Sequence, residues 1–161
     1  MANTFKKLTA LIIIATTITG CGSGQNSVTR NIKQVTDGVE AESNGIKLRN
    51  VLIVKTATAE GVLVATVVNT KDESDSLVGI AIGGAMTTLA AKSNELLKNK
   101  PIIFVGDSAN ADAFIPILNN NAGDRIGITF TFAKAAPVTV SALVVNGEGI
   151  YKDLVRLTVT P

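Results

Sequence analysis

The chain of 161 residues has no histidine and no tryptophan, and only one cysteine, one tyrosine and two methionines. Without histidine it lacks both the commonest general base and the commonest transition-metal ligand. Serine-histidine and cysteine-histidine catalytic arrangements are thereby excluded. The single cysteine, Cys21, leaves no partner for a disulfide within the chain. Met1 would leave with an export signal, so Met86 would be the one remaining thioether for a soft metal such as Cu(I). A copper site needing two sulfurs, or sulfur with imidazole, cannot be assembled from that inventory. Met86 is therefore expected to fill core space, and the sequence implies no metal ligand set and no cofactor.

Charge of one sign is also scarce. Of the 15 Lys and Arg residues, two, Lys6 and Lys7, precede Cys21, which leaves 13 against 13 Asp and Glu in the rest of the chain. A neutral domain without a basic patch interleaved with aromatics lacks the electrostatic footprint of a nucleic-acid binder. Apolar residues nevertheless make up 46% of the chain, mostly Val, Ile, Leu and Ala, which argues against disorder and suits a core built from strands.

What is present begins at the N-terminus. Lys6 and Lys7 are followed by an apolar stretch over 8–18 and then by Ile18-Thr19-Gly20-Cys21. These are the three regions of a secretory signal. Its apolar core is about a dozen residues, short of the roughly 20 that a spanning helix needs. An aliphatic residue three positions before the cysteine and glycine just before it resemble the lipobox of bacterial lipoproteins. That resemblance implies cleavage between Gly20 and Cys21, with the Cys21 thiol as the nucleophile that takes up the lipid. The anchored protein would then face the extracytoplasmic side of the cell membrane. The alternatives are an ordinary signal cut a few residues later and an uncleaved anchor.

The sequence divides into a signal over 1–20, a lipidated cysteine and flexible tether over 21–45, and one domain over 46–161. The tether is rich in Ser, Asn, Gln, Thr and Gly. From Ile46 short apolar runs alternate with turn residues, the pattern of an all-β domain. The clearest strand is 125–132, with Ile126, Ile128, Phe130 and Phe132 on one face. The turn signals of 119–124 precede it, and Pro137 separates it from a second strand over 138–145, which makes a hairpin. Further strands are expected over 51–55, 62–68, 77–82, 102–105, 114–118 and 154–159, with Pro116 marking an edge or a bulge. Residues 85–100 fit either a short helix or irregular strands and stay unassigned. Seven or more short strands favour an antiparallel two-sheet sandwich.

Two acidic sets, Asp72-Glu73-Ser74-Asp75 and Asp107 through Asp112, could offer oxygen to Ca²⁺ but lack the EF-hand spacing. Both read better as solvated turns. Gly79, Gly83 and Gly84 lie near a strand, yet no phosphate-loop lysine follows them.

The strand over 62–69 ending in Asn69, the Asp75-Ser76-Leu77-Val78 lead-in to another, and Gly123 through Phe132 followed by Val138-Thr139-Val140 resemble the PCuAC family of periplasmic copper chaperones. The resemblance is particularly to its ligand-poor relatives among actinobacterial lipoproteins. The resemblance covers about two-thirds of the mature chain and implies a cupredoxin-like or immunoglobulin-like β-sandwich. Because that family binds copper through histidines and methionines, no copper-site residue is carried over. The expectation is a membrane-anchored, non-enzymatic β-sandwich serving as a binding or accessory module, with a protein partner at the cell envelope. The alternative is a copper metallochaperone-like protein with a non-standard or partner-supplied site.

Overall fold

The computed structural model describes residues 37–154, 156 and 157. Gly20, Cys21, the signal and most of the expected tether lie outside the described residues. Among the described residues eleven strands run in chain order: β1 Val39–Ser43, β2 Ile46–Lys55, β3 Gly61–Asn69, β4 Asp75–Ile82, β5 Ala85–Met86, β6 Thr88–Ala91, β7 Glu95–Leu96, β8 Ile102–Ile103, β9 Ala111–Ile115, β10 Arg125–Phe132 and β11 Val138–Asn146. A 3₁₀ turn, Gly149–Tyr151, follows them. The hydrogen-bonded order is β5-β4-β10-β11-β2-β3-β9-β6, with β1 beside β2, β7 beside β4 and β8 beside β3.

The hairpin expected from 125–145 forms as β10 and β11, antiparallel from Arg125↔Leu143 to Phe130↔Val138. Ile126, Ile128, Phe130 and Phe132 alternate inward as their period-two spacing requires. They meet Val140, Ala142 and Val144 of β11 and Leu48, Val51, Ile53, Leu63, Ala65 and Val67 of β2 and β3 in one core. β11 then leaves β10 and pairs with β2 through Val144↔Ile53, Val145↔Val54 and Asn146↔Lys55. This junction is parallel, a departure from the all-antiparallel sandwich expected. It arises because one strand serves two sheets, so its second partner is set by where β2 already lies.

On the other side, the chain from β5 to β6 plays the same part. β5 pairs with β4 through Ala81↔Met86 and Ile82↔Ala85, and β6 pairs with β9 from Thr88↔Phe114 to Ala91↔Ala111. Thr87 sits at the crossing, where its N–H and its hydroxyl both donate to the Ile80 carbonyl at 3.0 Å. Residues 85–100, left open by sequence, are thus short strands and not a helix. Two switching strands bring the sandwich close to a barrel and remove long exposed edges.

Several boundaries differ from expectation, including the start of β2 at Ile46 rather than at 51 and the end of β8 at Ile103 rather than at 105. β1 lies inside the stretch read as tether, so ordered structure begins before Ile46. Its polar composition does not prevent pairing, because Asn44 and Gly45, at φ 47° and 81°, form the two-residue hairpin that brings it onto β2. The strand expected over 114–118 ends at Ile115, since Pro116 has no N–H for the ladder. Of the strand expected over 154–159, Leu154, Arg156 and Leu157 are described and none is in a strand.

β2 is buried continuously from Val51 to Val54, which an outward-facing strand would not permit. A bulge explains the inward set: the register shifts between Arg49 and Leu52, with Asn50 at φ 51°. Ile46 and Leu48 before it and Val51 and Ile53 after it therefore all face the core. Leu52 and Val54 point to the opposite face. There Val54 pairs with Val62 and Val62 with Phe114, a lateral row across β2, β3 and β9. Burying each valine is worth about 1.5–3 kcal/mol, and the burial depends on the chain that follows β11.

Candidate binding surface

Each acidic set keeps exposed members, Asp72 and Glu73 in the first and Asp107 in the second, but its last aspartate is buried, which corrects the reading from sequence for Asp75 and Asp112. Asp75 is buried. Its Oδ1 accepts the N–H groups of Ser76 at 2.7 Å and Lys134 at 2.9 Å, and its Oδ2 accepts that of Ala135 at 2.8 Å. Burial alone would raise its carboxyl, but the N–H groups of Ala135, Ser76, Lys134 and Ala133 together outweigh it and hold the group below its ordinary value. The carboxylate thus ties the start of β4 to the β10–β11 turn. Asp72 and Glu73 remain exposed and pair with Lys98 at 2.7 Å and Lys134 at 3.2 Å, contacts of little energetic weight. Beside Asp75 is room of about 20 Å³, enough for one water and no more.

The neighbouring Asn69 is equally committed. Its amide donates to the carbonyls of Glu73 at 2.7 Å and Leu96 at 2.9 Å, and its oxygen accepts the Lys71 N–H at 2.9 Å.

In the second set, Asn110 closes its own loop by accepting from Ile103 N–H at 2.7 Å and donating to the Pro101 carbonyl at 2.9 Å. Asp112 is buried and gripped in bidentate fashion by Arg156, Nε to Oδ1 at 3.0 Å and Nη2 to Oδ2 at 2.8 Å. The same guanidinium lies 4.8 Å from the centre of the Phe114 ring and 3.5 Å from Glu60. The bond to Asp112 raises the Arg156 pKa, against the opposing effect of burial. No sequence signal marked Arg156, which sat in an expected strand. Among the described residues no three His, Cys, Asp or Glu side chains gather as a metal-ligating group.

Met86 is also misplaced by sequence. It is 71% exposed, on the outer side of β5 and not in the core. The reason is the hairpin: Gly83 and Gly84, at φ 59° and 86°, form a tight turn that directs Met86 over Gly79. A β-carbon at Gly79 would come within 3.0 Å of its Cε. Next to it Val78 is 61% exposed, because the β4–β10 register shifts there and leaves Val78 as the extra residue of a bulge.

The outer edge of β4 is paired at both ends but not between. Leu77 N–H reaches the Asn94 carbonyl at 2.9 Å, and the Ile80 carbonyl is taken by Thr87. Between these points a cleft of about 320 Å³ opens, with Leu77, Val78, Leu89 and Ala91 on its walls and Lys92 at its rim. Its backbone gap is about two residues long, too short to admit an added strand. Val78 stands on its wall, and Met86 lies over the adjoining Gly79.

No protein-family model matches the chain, and no curated protein matches it. Among solved structures it is similar to the copper-bound PCuAC domain from PmoF2, with a TM-score of 0.56, 20% identity, and coverage of 67% of this chain and 98% of that one. The apo PCuAC domain from PmoF1 gives 0.57, 18%, 67% and 99%, and the apo PmoF2 PCuAC domain 0.55, 19%, 69% and 98%. At such identities the likeness speaks for fold alone: the described residues form a PCuAC-like β-sandwich.

Proposed function

We propose that this chain is a lipoprotein held to the outside of the cytoplasmic membrane through Cys21, and that its β-sandwich is a non-enzymatic binding module for a protein partner at the cell envelope. The observation that carries the reading is the surface at the β4 edge, where Val78 lines the cleft and Met86 lies over the adjoining Gly79; among the described residues these are two of four large apolar side chains left exposed, and Ile117 and Ile150 are not on the cleft. Exposed apolar residues grouped at an opening mark contact surfaces. Among the described residues the two buried carboxylates are both occupied, Asp75 by backbone N–H groups and Asp112 by Arg156.

A photo-crosslinking residue in place of Val78 in the full chain, expressed in its native envelope, should give one defined adduct, and the added change Met86→Ala should weaken it. The same probe at exposed Asp107 should not give that adduct. Equal adducts from both positions, or none at 78, would remove this surface from consideration.

A copper-handling role is the second reading, favoured by the exposed Met86 thioether on a fold shared with a copper-bound domain. One thioether is a weak Cu(I) site by itself. Equilibrium dialysis of the processed protein should therefore show no Cu(I) binding tighter than micromolar. Tighter binding that Met86→Ala abolishes would favour copper handling over the first reading.

A further inference from the structure

Residues 147–154 lie on the outer face of the sheet formed by β2, β3 and β9. Gly147 hydrogen-bonds to the Lys55 carbonyl at 2.9 Å, the 3₁₀ turn follows, and Tyr151 and Leu154 lie over Val54 and Val62. Arg156 then stands on Phe114, the third member of that lateral row, and clasps Asp112. Tyr151, Leu154, Val54 and Val62 enclose a groove of about 420 Å³, within the range of small-molecule sites.

Two features set this layer apart from the main core. Val54 and Val62 are fully buried yet belong to the opposite face from the core cluster, so they owe their burial to a covering segment. Among the described residues, the side-chain hydrogen bonds and ion pairs that fasten that segment all come from Arg156.

We infer that residues 147–154 and Arg156 form a latched cover, pivoting at Gly147 and Gly149 and held by Arg156, that opens without unfolding the sandwich and bares the Val54–Val62–Phe114 row. Gly149 sits at φ 56°, a conformation that leaves glycine room to turn. The guanidinium is suited to be the latch, because its fork matches one carboxylate and its plane stacks on the ring.

The chain supplies its own reporter. Tyr151 is the sole tyrosine and there is no tryptophan, so intrinsic fluorescence reads this groove alone. In the full chain, acrylamide should quench Tyr151 weakly. In Arg156→Met, which keeps the apolar contact with Phe114 but drops the ion pair, quenching should move toward that of free tyrosine. Hydrogen exchange at Tyr151 and Leu154 should accelerate while β10 and β11 keep their protection. Asp112→Asn, which preserves shape and removes the charge, should repeat the result if Arg156→Met proves too unstable to study. Arg156→Lys should restore part of the shielding. Unchanged quenching in both latch variants would overturn the inference. So would loss of β10 and β11 protection in step with Tyr151, since the segment would then be part of one cooperative unit.

Discussion

Asp75→Ala should lower the stability of the domain by about 2–4 kcal/mol, a large share of the roughly 5–15 kcal/mol that holds a domain folded. The substitution removes the one acceptor shared by Ser76, Lys134 and Ala135 and leaves their N–H groups at a buried joint. Bonds to a charged acceptor are worth about 1.5–3 kcal/mol each, but they are not additive here, because water can reach part of the vacated site. The measurement is urea unfolding, where the midpoint should fall while the slope stays the same.

The same joint sets a pH dependence. The folded-state pKa of Asp75 lies below its ordinary value of 3.8. Its contribution is therefore fully present above that value and is lost as pH falls through the lower, folded-state one. Wild-type protein should lose stability on acidification through this window more steeply than Asp75→Ala does. Parallel decline of the two would mean that the carboxylate is not the group responsible.

The second large effect concerns the anchor we propose. Cys21→Ser removes the only thiol in the chain, and with it the atom that would take up lipid. Two acyl chains anchor a protein stably where one does so only marginally, at about 0.8 kcal/mol per buried CH₂. The expected result is complete: the variant accumulates with its signal uncut or appears free of the membrane, and radiolabelled fatty acid is no longer incorporated. Normal processing together with unchanged membrane retention would refute the lipid anchor while leaving the fold untouched. It would also leave the proposals about the β4 edge and the latched cover standing, since both rest on the described residues alone.

Where local order carries the information, the amino-acid sequence was sufficient. The alternation Ile126, Ile128, Phe130, Phe132 determines which face of β10 is inward, and the turn residues before it and Pro137 after it determine the hairpin. The likeness to PCuAC domains was visible in the same segment. The absence of histidine was legible too, and it excludes histidine-based catalytic arrangements.

The tertiary structure decided everything that depends on residues far apart in the chain. Asp75 and Asp112 look like solvated turn residues until the β10–β11 turn and the segment after β11 arrive, 60 and 44 residues away, to cover them. Met86 looks like core material until a glycine hairpin turns it outward. Val54 and Val62 look like one more strand pair, whereas their burial needs a cover that no local pattern announces. β1, polar enough to pass for a tether, is a strand because β2 offers it a ladder. In each case side-chain type limits what is possible, and the burial that selects among those possibilities comes from partners placed by the fold.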